Sequence, residues 1–277
     1  MDKEKYRIMI ETSNICNAKC SFCANPTLVR PKQVMTDEIF DLIIERLIKE
    51  EISIERFILH LNGEPFTDKE LVERIEILKN RFMGTPVWFT TNFSLPDKET
   101  IDRLLGSGTD QITISLNTVE KQKYHEIMGL DFERTMKNIE YLIQKNQNIT
   151  NPMKIRFSIV DYGDKEEIEK FLQKYSDMAE IRVIQLGRWI GKDFTPLSGR
   201  VQNLHRHCDD LYHQICILSN GDYAICSFDC EGQVNLNVRN TPILEAFYSE
   251  AYEDLREMLK SGIGGTMCEN CSFSYIG

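Results

Sequence analysis

Cys16-Asn17-Ala18-Lys19-Cys20-Ser21-Phe22-Cys23 constrains this chain more than any other feature. Three cysteines fall within eight residues, separated by three and then two positions. Thiolates at that spacing can take three corners of a [4Fe–4S] cube, and no fourth cysteine is near enough to take the last. The iron left open is a place where a ligand can coordinate, as catalytic metal sites keep one position open. Zinc is the other metal such thiols hold, but zinc asks for four closed ligands or for His and carboxylate partners. The nearest His is His60, far downstream.

An apolar run over residues 6–10 ends at Glu11-Thr12-Ser13, so the cysteines read as the loop leaving a first strand. The spacing, with Phe22 just before the last cysteine, resembles the radical S-adenosylmethionine (SAM) superfamily. The resemblance implies that Cys16, Cys20 and Cys23 hold a cluster whose open iron binds the amino and carboxylate groups of SAM. It also implies that one electron cleaves SAM to a 5′-deoxyadenosyl radical, and that Phe22 flanks the adenine. In such enzymes the cofactor carries the chemistry, and the protein supplies orientation and shielding.

The length of 277 residues suits one barrel-sized domain with a small appendage. No run of eighteen apolar residues predicts a membrane span, and the first residues lack the apolar core of a signal peptide. A cytoplasmic chain is therefore expected. In a reducing compartment its nine cysteines read as metal ligands rather than disulfides. The formal charge is −10 and there is no Lys/Arg run, so no nucleic-acid partner is expected. A small or cationic substrate suits that charge.

Strand-like runs at residues 7–11, 56–61, 87–91, 111–116, 154–160 and 182–186 alternate with amphipathic stretches at 37–49, 69–82, 98–105, 132–144 and 165–175. The rhythm predicts an α/β fold with a parallel sheet and outer helices. The resemblance implies an open partial (β/α)6 TIM barrel over residues 1–200, with its chemistry at the C-terminal ends of the strands. After residue 200 the rhythm stops. A hairpin is predicted around Asn220-Gly221, then a helix over 241–260, within a small Cys-rich unit spanning 201–277.

Asn62-Gly63-Glu64-Pro65 follows the second strand and resembles the superfamily's Gly-Gly-Glu-Pro motif, with Asn62 replacing the first Gly. The resemblance implies that Gly63, Glu64 and Pro65 hold the ammonium of SAM. It also places Thr91 and Asn92, and Ser115 and Asn117, where ribose and carboxylate bind. Strand-end turn chemistry is the alternative for these four. Met128 stands where related enzymes often carry an Arg before the residue equivalent to Gly129, so the carboxylate partner is open; Lys123 is nearby in sequence.

Cys208, Cys226, Cys268 and Cys271 resemble the ligand set of the SPASM/twitch extension, which implies a second [4Fe–4S] cluster. With four thiolates it leaves no open iron and suits electron transfer. A zinc knuckle is the alternative. Cys216 reads as a small buried hydrophobe. Cys230 is a spare ligand, a hydrogen donor or inert. Arg188, in the segment after strand six, and Asp229, beside the auxiliary set, are candidate substrate residues. The whole frame resembles dehydrogenases of the 2-deoxy-scyllo-inosamine type, which implies oxidation of a polar small molecule fed by a flavodoxin or ferredoxin, in a monomer or weak dimer. The alternatives are a peptide-modifying enzyme forming thioethers or epimerising, a redox-neutral sugar epimerase or dehydratase, and a non-catalytic iron–sulfur or zinc scaffold. Leader-peptide binders often begin with a winged helix; with a first strand starting near residue 6, that module is not expected here.

Overall fold

The computed structural model describes residues 4–185 and 208–261. Strands and helices alternate as β1 (Tyr6–Ile10), α1 (Asp37–Lys49), β2 (Ile54–Ile58), α2 (Leu71–Arg81), β3 (Val87–Thr91), α3 (Lys98–Gly106), β4 (Gln111–Ser115), α4 (Lys121–Met128), α5 (Phe132–Asn146), β5 (Lys154–Asp161), α6 (Lys165–Tyr175) and β6 (Glu180–Gln185). Then come α7 (Asp209–His213), β7 (Gln214–Ile217), β8 (Tyr223–Ala224), α8 (Ile243–Phe247) and α9 (Glu250–Ser261). One sheet holds the strands in the order β6-β5-β4-β3-β2-β1-β7-β8. Every pairing from β6 to β7 is parallel, and only β7–β8 is antiparallel. The fold is the expected partial (β/α)6 barrel with a smaller C-terminal region.

The strands read differently on their two faces, because successive side chains point opposite ways. Ile8, Ile10, Phe57, Val87, Phe89, Ile112, Ile114 and Phe157 face outward into one core shared with the helices. Helix α1 meets them with Ile39, Phe40, Ile43, Ile44 and Leu47, a stripe along one side. The opposite strand faces carry Arg7, Arg56, Trp88, Thr113, Ser158 and Arg182, which line a central cavity. Helix starts are set by side chains that accept backbone N–H groups: Thr36 for α1, Asp97 for α3, Asp131 for α5 and Asp164 for α6.

Three elements depart from the sequence reading. Helix α4 was not anticipated; it buries only Tyr124 and Met128, too sparse a stripe to stand out. It ends at Gly129, whose φ of 70° lies in the left-handed region. The single helix expected over 241–260 is two, because the Ser249 carbonyl accepts from Tyr252 and Glu253 and so begins a new turn. Strand β8 is shorter than expected, since the next N–H, that of Ile225, donates to the Asp229 carboxylate instead of a neighbouring strand.

The hairpin extends the barrel sheet: β7 lies along β1 with Arg7 opposite Gln214 and Ile10 opposite Ile217. Just beyond that register sits Glu11, fully buried. Its Oε1 accepts from Arg30 Nη2 at 2.6 Å and from the backbone and side-chain nitrogens of Asn62 at 3.2 and 3.1 Å. Its Oε2 accepts from Ser219 N at 3.0 Å. Arg30 Nε in turn donates to the Cys230 carbonyl at 2.6 Å. Removing one partner of a buried ion pair leaves a charge unmet, at a cost of about 3–5 kcal/mol. Arg30→Met is therefore expected to lower stability by about that much in urea unfolding, and adding Glu11→Gln should restore part of it. An unchanged midpoint for Arg30→Met would show that Glu11 is not the joint.

Candidate active site

The loop after β1 brings Cys16, Cys20 and Cys23 together as free, half-buried thiols. Helix α4 holds the loop in place: Lys19 N donates to the Met128 carbonyl at 2.9 Å and Ser21 N to the Ile127 carbonyl at 3.2 Å. These are carbonyls that a helix leaves without partners at its C-terminal end. Ala18 N donates to Cys16 Sγ at 3.4 Å and Asn25 N to Cys23 Sγ at 3.3 Å, bonds that favour thiolate. Burial acts the other way, pushing Cys16 up to about 12 and raising Cys20 and Cys23 as well. Such thiols ionise when a metal displaces their protons. The Lys32 ammonium, held by the carbonyls of Asn14 and Asn25 and by Asn25 Oδ1, favours thiolate at Cys16 and Cys23. Among the described residues no three His, Cys, Asp or Glu side chains close around a single ion. A cube takes each thiolate on a different iron, and this His-free set of three thiols fits it.

Gly63 explains how the second motif reaches the first. A Cβ there would lie 2.1 Å from the Ser13 carbonyl oxygen and 2.8 Å from Asn14 Cα. Only glycine lets the two strand-end backbones approach so closely. Glu64 N then donates to the Ile15 carbonyl at 2.8 Å, one residue before Cys16. The Glu64 carboxylate is buried and held by Thr91 Oγ1 (2.5 Å), Asn92 N (2.7 Å) and Phe66 N (3.2 Å). Burial outweighs these three donors and raises it to about 7. An ammonium beside it would reverse that shift, so the amino group of SAM fits this carboxylate. Pro65 is buried and opens the short 3₁₀ turn that Glu64 caps.

The remaining strand-end residues divide. Thr91 and Asn92 hold Glu64, and Asn92 Nδ2 also donates to Asn17 Oδ1 of the cysteine loop at 2.9 Å. Thr90, one residue earlier, reaches the central cavity, as do Phe22, Ser115 and Asn117. That cavity is about 410 Å³. A second one of about 240 Å³ shares Asn117 and Val160 with it and includes Ser21 and Tyr162. Phe22 meets Tyr162 edge to face at 5.6 Å. Met128 is buried and accepts from Asn117 Nδ2, so it is a packing residue here. Lys123 is bound by Glu167 at 2.8 Å and Asp164 at 3.2 Å.

Sequence reasoning assigned no role to His60, which also lines the chamber. Its Nδ1 accepts from Thr90 N at 3.0 Å, which leaves Nε2 as the protonated nitrogen. Burial and then the charge of Arg182 push the imidazole down to about 4, so it is neutral at physiological pH. Its spacing of two from Ile58, on the inward face of β2, was the available signal.

In the C-terminal region Cys208 and Cys226 are half-buried, and Phe228 N donates to Cys226 Sγ at 3.4 Å. Arg188, Cys268 and Cys271 lie outside the described residues. Cys216 is buried against Met9, as a small hydrophobe would be. Asp229 is fully buried and accepts from the backbone nitrogens of Ile225, Gly232 and Gln233. It builds its own turn and, like buried Cys230, is not in the chamber wall, which takes Ser227 and Phe228 instead.

The Gly63 contact is testable. Gly63→Ala should cost more than the ~1–3 kcal/mol of an ordinary overpacked site, because backbone rather than a flexible side chain blocks the new methyl. SAM binding by calorimetry should fall along with the melting temperature; wild-type values for both would contradict the close approach.

Residues 10–175 match the family model of the radical SAM superfamily. Curated relatives include a probable GTP 3′,8-cyclase of Saccharolobus islandicus, 26% identical over 182 residues, 65% of this chain and 56% of that protein. Another, from Methanococcus vannielii, is 29% identical over 170 residues, 60% and 54% of the two chains. The chain thus spans about half the length of the curated relatives it matches. Similar solved structures include BtrN in complex with AdoMet and 2-DOIA, at a TM-score of 0.64, 16% identity and coverage of 99% of this chain and 95% of that one. Streptococcus suis SuiB bound to precursor peptide SuiA gives 0.69, 18%, 97% and 70%. Native anSMEcpe with bound AdoMet gives 0.69, 15%, 92% and 84%. At these identities the likeness is one of fold. The family model, however, covers more than half of the chain and takes in both the cysteine loop and the Gly63-Glu64 turn, so this chain belongs to the radical SAM superfamily.

Proposed function

We propose that this chain is a radical SAM oxidoreductase that removes a hydrogen atom from a polar small molecule and completes the oxidation by passing one electron to an auxiliary [4Fe–4S] cluster on Cys208, Cys226, Cys268 and Cys271. The observation that carries the reading is a shared wall. Ser227 and Phe228, the two residues after Cys226, line the same chamber as Phe22, the residue before Cys23. A substrate between them would lie beside the Cys16–Cys23 loop and Cys226.

Bound at Cys16, Cys20 and Cys23, the first cluster and SAM supply an electron and a carbon radical able to take a hydrogen atom. The protein's residues do the rest. Glu64, locked by Thr91 and Asn92, orients the amino end of SAM. Phe22 and Phe228 give the chamber an apolar wall between the two cysteine loops. His60 offers a fixed, neutral Nε2–H to a substrate oxygen. An alcohol carbon that has lost its hydrogen atom would give up its hydroxyl proton to solvent, and a cluster held by Cys208, Cys226, Cys268 and Cys271 would supply the acceptor for its remaining electron, making the product a carbonyl two hydrogens lighter. Arg188 is proposed to bind a substrate oxygen. A flavodoxin or ferredoxin is proposed to deliver the starting electron. Cys230, at 1% exposure and off the wall, has no part in this scheme.

Anaerobic reconstitution should give about eight irons per chain, four per cube. Replacing Cys16, Cys20 and Cys23 together with Ala should leave about four and abolish release of 5′-deoxyadenosine under dithionite. About four irons in the wild type would remove the auxiliary cluster from the scheme. With substrate, each SAM consumed should yield one product lighter by two hydrogens, and Cys230→Ala should keep most of that turnover. An unchanged product mass, solvent deuterium in the product and dependence on Cys230 would replace oxidation with epimerisation.

A further inference from the structure

The floor of the chamber holds a concentration of unmet hydrogen-bond donors. Arg7 Nε, Arg56 Nε and Trp88 Nε1 line the chamber and are buried with no partner among the described residues, and Gln111 Nε2 and Arg156 Nε, outside its lining, are in the same state. They are neighbours on the inward face: Arg7 pairs in register with Arg56, Ile58 with Trp88, Trp88 with Gln111, and Thr113 with Arg156. Each buried donor without an acceptor costs ~1–3 kcal/mol, and native proteins keep few of them. Three on the chamber wall, every one an N–H, are explained by a ligand that brings acceptors.

The charges on the wall point the same way. Three guanidiniums, those of Arg7, Arg56 and Arg182, face one carboxylate, Asp210. Arg7 is already bound by Asp209 at 2.5 Å and Asp210 at 2.9 Å. Arg56 has a half-exposed partner, Glu55 at 2.7 Å, and stacks over the Trp88 ring at 4.8 Å. Arg182 has no ion pair among the described residues. The charge of Arg56 is disfavoured first by burial and then by Arg7, a balance that an anion would redress. The guanidinium left without an ion pair among the described residues, that of Arg182, favours an anion in the chamber, whereas the chain's net charge of −10 suggested a small or cationic substrate.

We propose that the substrate carries an oxyanion, a phosphate or a carboxylate, which the chamber floor binds through Arg56, Trp88 Nε1 and Arg7, with Arg182 on the facing wall. The chamber runs from these residues to His60, Thr90 and Phe22 at the C-terminal ends of the strands. A molecule anchored at the floor therefore points its far end towards the cysteine loop. The proposal rests on the reading of this chamber as the substrate site, and it makes Arg56 and Arg182 determinants of specificity.

The test titrates the reconstituted holoenzyme, with SAM present, against inorganic phosphate, acetate and the uncharged polyol myo-inositol by calorimetry. One of the two anions should bind at least about tenfold more tightly than myo-inositol, as a charge-assisted bond implies, and which one does so separates phosphate from carboxylate. Arg56→Gln and Arg182→Gln should each erase about tenfold of that preference. Circular dichroism melts confirm that each variant is folded, and Arg182, exposed and with no ion pair among the described residues, is the safer of the two. Equal binding of all three probes, or a folded variant that keeps the full anion preference, would overturn the proposal. Release of 5′-deoxyadenosine by the wild type is measured separately. Release without anion preference overturns the oxyanion floor alone, whereas anion binding without release overturns the radical reading and with it the floor's role as a substrate site.

Discussion

A single buried carboxylate keeps the parts of this site in register. Glu11 ends β1 where no water reaches it, so every lone pair must be met by the protein. Arg30, Asn62 and Ser219 meet them. Asn62 leads into the Gly63-Glu64 turn, Ser219 begins the hairpin turn that leads to Cys226, and Glu11 itself leads into the cysteine loop. All three segments are thus referred to the same two oxygens. A buried ion pair adds little net stability over a well-packed apolar substitute. What it adds is geometry, since a carboxylate accepts bonds only along certain directions and a methyl group would let each loop slide.

The second constraint is a distance that no side chain permits. Gly63 lies against the Ser13 carbonyl so closely that the loops after β1 and β2 act as one rigid piece. Thr67 reinforces it, donating to Ser13 Oγ or to the Ile15 and Glu64 carbonyls. Sites placed on strand ends and locked by neighbours hold their groups more exactly than sites on free loops. Glu64 shows the effect: its three donors come from two elements, and it has no freedom left to turn away.

How much of this was legible in the chain depends on how local each signal is. The cysteine loop, the Gly-Glu-Pro turn and the βα rhythm are carried by residues close in sequence, and all three are where the spacing put them. Helix α4 was missed because its buried stripe is only Tyr124 and Met128, yet its last carbonyls anchor the cysteine loop. Asp229 looked like a substrate ligand because an acid beside a cysteine reads as chemistry. Its bonds to Ile225, Gly232 and Gln233 depend on how the chain folds back, which spacing does not encode. Thr91 and Asn92 were placed at the correct strand end, but whether they face SAM or hold Glu64 turns on a one-residue parity that Thr90 resolves the other way.

The inner face shows the same limit on a larger scale. Closed barrels of parallel strands fill their interior with layers of Val, Ile and Leu. Here Ile58 and Met9 share that face with Arg7, Arg56, Trp88, Thr113, Ser158 and Arg182, so the interior is a chamber rather than a core. Stability must then come from the outer layer, and it does: the outward residues of β1 to β5 join the helices in one continuous cluster. That division frees the inward face for binding. Net charge says little about such a chamber, because a sum over the whole chain counts mostly solvated surface. On the reading proposed above, a ligand in the chamber would meet the guanidiniums of Arg7, Arg56 and Arg182, the Asp210 carboxylate and a neutral imidazole.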